Sequence, residues 1–307
     1  MISLLLLAKI AQLFLGLILG FILVRTKILN AGDTRVLSAV ALYAVTPCLI
    51  LSVFQTEISS DLLTGLLLSL GAAVGAHLLF FILAAIFKKP CRLTPTEQAN
   101  CIYTNSGDLV IPVVSALFGP EWLIYSLPFS VVQLPLFWSH CLQLVSGEAK
   151  ISWKEMLLNV NIISVFVGAL LFFFRISLPA KLMEAMEPIG NMIGPMSMII
   201  AGMLIGGMDL RKVFSFRGIW KVAALRLLVF PLIALAIIKF SGVSALVPGG
   251  ETILLISLLA MCAPAAGTVT QQSILFGTEG EYSGAIYTVT TLLCVLTMPL
   301  MIALYQF

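Results

Sequence analysis

The chain has 307 residues, of which 17 are Lys or Arg and 14 are Asp or Glu, and this 10% charged fraction compares with about 25% in an ordinary soluble domain. Hydrophobic residues make up 60%, the mean hydropathy is +1.11, and the charges cluster between apolar runs of about 20 residues, so a soluble enzyme, a disordered chain and a nucleic-acid binder are excluded. The net charge of +3 requires no acidic partner, because excess Lys and Arg is what the cytoplasmic loops of a polytopic membrane protein carry.

A helix that crosses a bilayer needs about 20 apolar residues. That rule predicts ten, at 4–24, 35–55, 62–87, 97–118, 121–145, 155–175, 181–208, 217–240, 251–276 and 281–305. The first lacks a basic leader and a small-residue cleavage site, so it reads as a retained helix and not as a signal peptide. Helix 2 carries Thr46-Pro47. His77 in helix 3 has two readings, an interhelical hydrogen-bonding residue or a proton relay. Helix 4 is interrupted by Tyr103-Thr-Asn105-Ser106-Gly107-Asp108-Leu-Val-Ile-Pro112. Gln133, His140 and Gln143 fall along helix 5, and Asn159 and Asn161 near the start of helix 6; of these, Gln133 and Asn161 are candidate cavity residues. Helix 7 carries Gly194-Pro195. Arg226, about eight residues into helix 8, either pairs with a substrate carboxylate or Asp108, or snorkels to the surface. Helix 9 is interrupted at Met261-Cys-Ala263-Pro264-Ala265-Ala266-Gly267-Thr268-Val-Thr270-Gln271-Gln272.

Basic residues alternate between the loops. Those following helices 1, 3, 5 and 7 hold Arg25, Lys27, Arg35, Lys88, Lys89, Arg92, Lys150, Lys154, Arg211, Lys212, Arg217 and Lys221, whereas the opposite side holds only Arg175, Lys181 and Lys239. This bias predicts a multi-pass protein with the first set in the cytoplasm and both termini extracytoplasmic.

The two halves echo one another. Phe14 to Phe21 of helix 1 resembles Phe166 to Phe174 of helix 6, Thr46-Pro47 resembles Gly194-Pro195, and Ser115-Ala-Leu-Phe-Gly119 resembles Ser273-Ile-Leu-Phe-Gly277. Five helices per half is an odd number, so the second copy enters the membrane from the opposite face. The predicted fold class is therefore an all-α membrane protein of two inverted five-helix repeats, 1–150 and 151–307.

In such folds the substrate site lies at mid-membrane, where broken helices expose backbone groups. Gly107 and Pro112 relax the helix, and Asn105, Ser106 and Asp108 can satisfy freed backbone groups or a ligand. Two half-helix N-termini facing one cavity favour an anion. The predicted substrate-binding set is Asn105, Ser106, Gly107, Asp108, Pro112, Gln133, Asn161, Arg226, Pro264, Ala265, Gly267, Thr268 and Gln271, with Asp108 and His77 as candidates for carrying a coupling proton. Asp108 has a second reading, as a cap on the broken helix. The six cysteines form no CxxC pair, and neither a metal cluster nor a nucleotide motif is present, so no cofactor or metal is expected and transport is gradient-driven.

The ten spans, Asn105-x-Gly107 leading to Pro112 with Leu-Phe-Gly119 beyond it, Ala263-Pro264-Ala265, and Met298-Pro299-Leu300 together resemble the auxin efflux carrier (AEC) family, which includes bacterial permeases and plant PIN proteins. The resemblance implies a fold related to bile acid/sodium symporters, with helices 4 and 9 crossing and an elevator-like movement against helices 1, 2, 6 and 7. It also implies carboxylate substrates in a plasma (inner) membrane, a proton or sodium as coupling ion, and a homodimer. Family members often carry an aromatic residue or Asn after the Gly and a second Gly before the Pro, where this chain has Asp108 and Val110. The expected function is alternating-access transport of small organic anions. The alternatives are a cation/proton antiporter using Asp108, and a non-transporting membrane receptor.

Overall fold

A computed structural model describes residues 2–147 and 157–306, and of these the side chains of residues 2–7, 10 and 108 are not described. Lys150 and Lys154, and the expected start of helix 6 at residue 155, lie outside the described residues.

The described secondary structure is helical apart from one two-residue bridge. In chain order it comprises α1 (Ile2–Arg25), α2 (Ala31–Val53), α3 (Ser60–Lys88), α4 (Pro95–Ile102), α5 (Ile111–Phe118), α6 (127–146), α7 (Val160–Phe173), α8 (Ala180–Gly207), the short α9 (Leu210–Ser215), α10 (Gly218–Ser241), α11 (Gly250–Cys262), α12 (Gly267–Leu275) and α13 (Gly280–Gln306). Among them α2, α3, α8, α10 and α13 are long and apolar enough to cross a membrane, and α7 and α11 are shorter apolar helices. The predicted helix 5 starts later than expected, because Pro120–Tyr125 forms a separate 3₁₀ turn before α6.

The helix starts follow local chemistry. Ser59 caps α3 by accepting the Leu62 amide, with Asp61 in the first turn and Lys88 in the last, each charge opposing the helix dipole. Thr94-Pro95-Thr96-Glu97 opens α4 as a reciprocal capping box with proline in the first turn. Prolines inside the long helices widen them without ending them. The π-type turns Ala41–Val45, Ser106–Val110 and Leu225–Val229 each lie two residues before a proline, Pro47, Pro112 and Pro231. Proline has no amide to donate, so the ladder slips by one residue on its N-terminal side.

α8 is the hub of one helix group. Its glycines recur at Gly190, Gly194, Gly202 and Gly206, and each admits a different neighbour: the Leu49 backbone of α2, the Pro112 ring, Leu17 and Phe21 of α1, and Phe21 with Val24. α1 answers with Gly16 and Gly20, which admit Met198 and the Ile199 backbone. The contacts advance together along both chains, so α1 and α8 run parallel, and small residues spaced by four let the backbones touch. α7 packs on the end of α2, where Gly168 receives the Phe54 ring.

The basic loops gather at one end. Arg25 donates to Met208 O at 2.9 Å, Lys212 pairs with Glu281 at 2.7 Å, Thr94 Oγ1 reaches Glu279 at 3.3 Å, and Lys221 donates to Cys91 O at 3.0 Å. At the other end Leu178 N donates to Gln55 Oε1 and Tyr305 OH to Glu251 O. The most buried tie at the basic end is Glu97, only 3% exposed, which accepts from Lys221 Nζ at 2.8 Å and from Tyr282 OH at 2.6 Å and so joins α4, α10 and α13. Glu97→Gln keeps the shape and removes the charge. It is expected to cost about 1–3 kcal/mol in thermal or denaturant unfolding, since Lys221 retains partial solvent contact.

Candidate functional site

The two interruptions meet. Residues 103–105 leave α4 with Tyr103 extended and run antiparallel to residues 263–266, which join α11 to α12, with Thr104 facing Ala265. Asn105 N donates to Pro264 O at 2.9 Å, and Ala266 N donates to Tyr103 O at 3.1 Å. Each broken helix thus satisfies its freed backbone groups with the other, which a low-dielectric interior requires. The break in helix 4 falls before Gly107 and Pro112, not across them as the sequence suggested. Residues 106–110 form the π-type turn that runs directly into α5, and Pro112, which has no amide to donate, follows that turn.

Side chains complete both outer edges of this small bridge. Gln133 of α6 places its carboxamide against Thr104, accepting its amide at 2.9 Å and donating to its carbonyl at 2.8 Å, as a neighbouring strand would. Across the pair, Ala265 N donates to Thr290 Oγ1 of α13 at 3.2 Å. Ser106 Oγ lies 3.4 Å from both Gln133 Nε2 and Ser130 Oγ.

Arg226 is fully buried and binds the ends of both half-helices. Nε and one terminal nitrogen donate to Ala263 O at 3.0 and 2.9 Å, that nitrogen also reaches Met261 O at 2.7 Å, and the other terminal nitrogen donates to Cys101 O at 3.1 Å. The Phe80 ring covers the guanidinium at 5.0 Å. The snorkelling reading is therefore corrected: the side chain turns inward, because four polarised contacts at two helix C-termini outweigh the pull of the interface. It makes no ion pair with a carboxylate among the described residues.

What remains open lies at the N-terminal ends of the second half-helices. The Asn105 side chain is buried and makes no capping hydrogen bond to the turn that follows it, and Thr104 Oγ1 is buried and unpaired. Gly107 is half-buried with nothing within 4 Å of where a Cβ would stand. Gly267 and Thr268, also half-buried, start α12, with the Tyr287 ring 3.6 Å from the Gly267 Cβ position. Asn105, Ser106, Gly107, Gln133, Arg226, Pro264, Ala265, Gly267 and Thr268 are thus gathered at or beside the bridge.

The rest of the expected set is dispersed. Pro112 packs on Gly194 of α8, between the two helix groups. Gln271 is on the exposed face of α12, and Asn161, with a buried unpaired Oδ1, stands on α7 with no contact to the bridge among those described. The Asp108 side chain lies outside the description. His77 donates from Nδ1 to Ala73 O at 2.7 Å within its own helix and packs at a tilt against the Phe129 ring, leaving Nε2 buried and unpaired. Two surface cavities of about 310 and 290 Å³, beside α2, contain none of the predicted residues.

Sequence reasoning missed Thr290, because a threonine inside a helix carries no signal of what it faces. It also missed Tyr103, whose hydroxyl binds His140 Nδ1 at 2.9 Å and whose ring stacks on Phe137. Glu97 was within reach, since Thr-x-x-Glu before an apolar run is a capping signature.

The family model for membrane transport proteins matches residues 5–302. The chain belongs to this family. It is the auxin efflux carrier/PIN-like group that the sequence resembles, and the protein is a membrane transporter. No curated protein matches the sequence.

Proposed function

We propose that this transporter moves small organic anions, mono- or dicarboxylates, across the plasma membrane by alternating access, with the substrate bound beside the bridge. The supporting observation is the pairing of residues 103–105 with 263–266, which brings the buried Asn105 side chain and the half-helix N-termini at Ser106–Gly107 and Gly267–Thr268 to one place. Uncommitted amides and a positive helix end suit a carboxylate. The repeats are 1–150 and 151–307 in inverted arrangement. In support, Gln133 and Thr290 occupy like positions in the two halves and complete opposite edges of the bridge, and α1 on α8 mirrors α7 on α2. The basic end faces the cytoplasm, with both termini outside. The α1, α2, α7 and α8 group is the scaffold, the surface of a homodimer, and the remaining helices carry the substrate past it.

Uptake of a radiolabelled dicarboxylate panel into proteoliposomes tests this. Losing a hydrogen bond to a charged ligand is worth about 1.5–3 kcal/mol, so Asn105→Ala is expected to reduce uptake about 10- to 100-fold. Gly107→Leu, filling open space beside it, is expected to do the same without lowering the melting temperature. Unchanged uptake in both variants would remove the substrate from the bridge. Cation-dependent pH changes in vesicles free of organic acid would instead identify an antiporter.

A further inference from the structure

The arrangement around Arg226 resembles an ion site more than a salt bridge. Cys101 O, Met261 O and Ala263 O converge from the C-terminal ends of α4 and α11, and all four contacts to them come from one guanidinium. Each helix C-terminus carries about half a negative charge, so two such ends call for about one positive charge. The guanidinium supplies it, under the Phe80 ring and with no exposure to solvent. Its planar donors suit three carbonyls at different angles better than a point charge does. The π-type turn Leu225–Val229 ahead of Pro231 is what carries Arg226 on α10.

We propose that these three carbonyls form a cation-binding cage at the helix crossing and that Arg226 occupies it as a tethered cation, so that the crossing is held without a free metal ion. The inference concerns the crossing and not the substrate, so it can be tested apart from uptake. Removing the side chain should turn the cage into a binding site for a free cation of matching shape.

The test is thermal unfolding of the full-length protein in detergent. Arg226→Gly is expected to melt below the native chain and to recover about 2–4 °C in millimolar guanidinium chloride, with no recovery in equal urea or choline chloride. The native protein should show no gain from guanidinium. Equal responses of variant and native protein to guanidinium would overturn the proposal. If Arg226→Gly does not accumulate, Arg226→Lys and Arg226→Met decide. Lys, which keeps the charge, should melt closer to the native protein than Met, and equal losses would overturn the tethered-cation role.

Discussion

Arg226→Met is expected to lower the free energy of unfolding by about 3–5 kcal/mol, the largest loss for any side chain outside the glycine contacts. The methionine keeps most of the apolar stem against Phe80 and deletes the guanidinium, leaving Cys101 O, Met261 O and Ala263 O without the donors they now have. These oxygens are interior, and water cannot replace the donors without opening the crossing. The loss should therefore be accompanied by looser pairing of residues 103–105 with 263–266. Amide hydrogen exchange at Asn105 and Ala266, whose protons are held in that pairing, should accelerate along with the fall in melting temperature. A variant that melted within 1 °C of the native chain, roughly the shift of a few tenths of a kcal/mol, would show that the four contacts contribute little.

Gly202→Leu is expected to be equally severe for a different reason. A Cβ at this position would overlap the Leu17 carbonyl oxygen, with the carbonyl carbon 2.7 Å and Phe21 N 2.9 Å away. The obstacle is backbone, which has no rotamer to change, so α1 would have to move off α8 and lose the contacts at Gly16 and Gly20 with it. A cost of about 3 kcal/mol or more follows, since overpacking against a flexible side chain already costs about 1–3. Gly71→Leu and Gly75→Leu are the controls. Both lie in α3 with nothing within 4 Å of the added Cβ, and both should melt near the native chain. Equal losses at all three positions would show that the α1–α8 contact is not their cause, since helix propensity alone favours leucine over glycine.

Much of the candidate site was legible because its residues are costly where they stand. Gly107, Pro112, Pro264 and Gly267 break the apolar pattern of helices 4 and 9, and Asn105 and Ser106 are polar at that depth. A pattern of that kind in a membrane segment marks backbone that needs partners. Which partners it finds was not legible. Gln133 was included as one polar residue among several on helix 5, and nothing in its spacing shows that its carboxamide completes the edge of a bridge 29 residues earlier in the chain. Arg226 stood out as a charge in need of a role, and residue types alone suggested carboxylate partners, whereas its acceptors among the described residues are main-chain carbonyls, which every residue carries.

By itself the sequence determined the solvent, the approximate limits of the helices and the two places where they break, because hydropathy, capping residues, glycine and proline act within a few residues of one another. Only the tertiary structure decided what the breaks do. Pairing residues 103–105 with 263–266, and bringing Cys101 O to the guanidinium that also holds Met261 O and Ala263 O, depend on groups separated by more than a hundred residues. The backbone atoms that make those contacts are the same in every residue, so no pattern of side chains announces them.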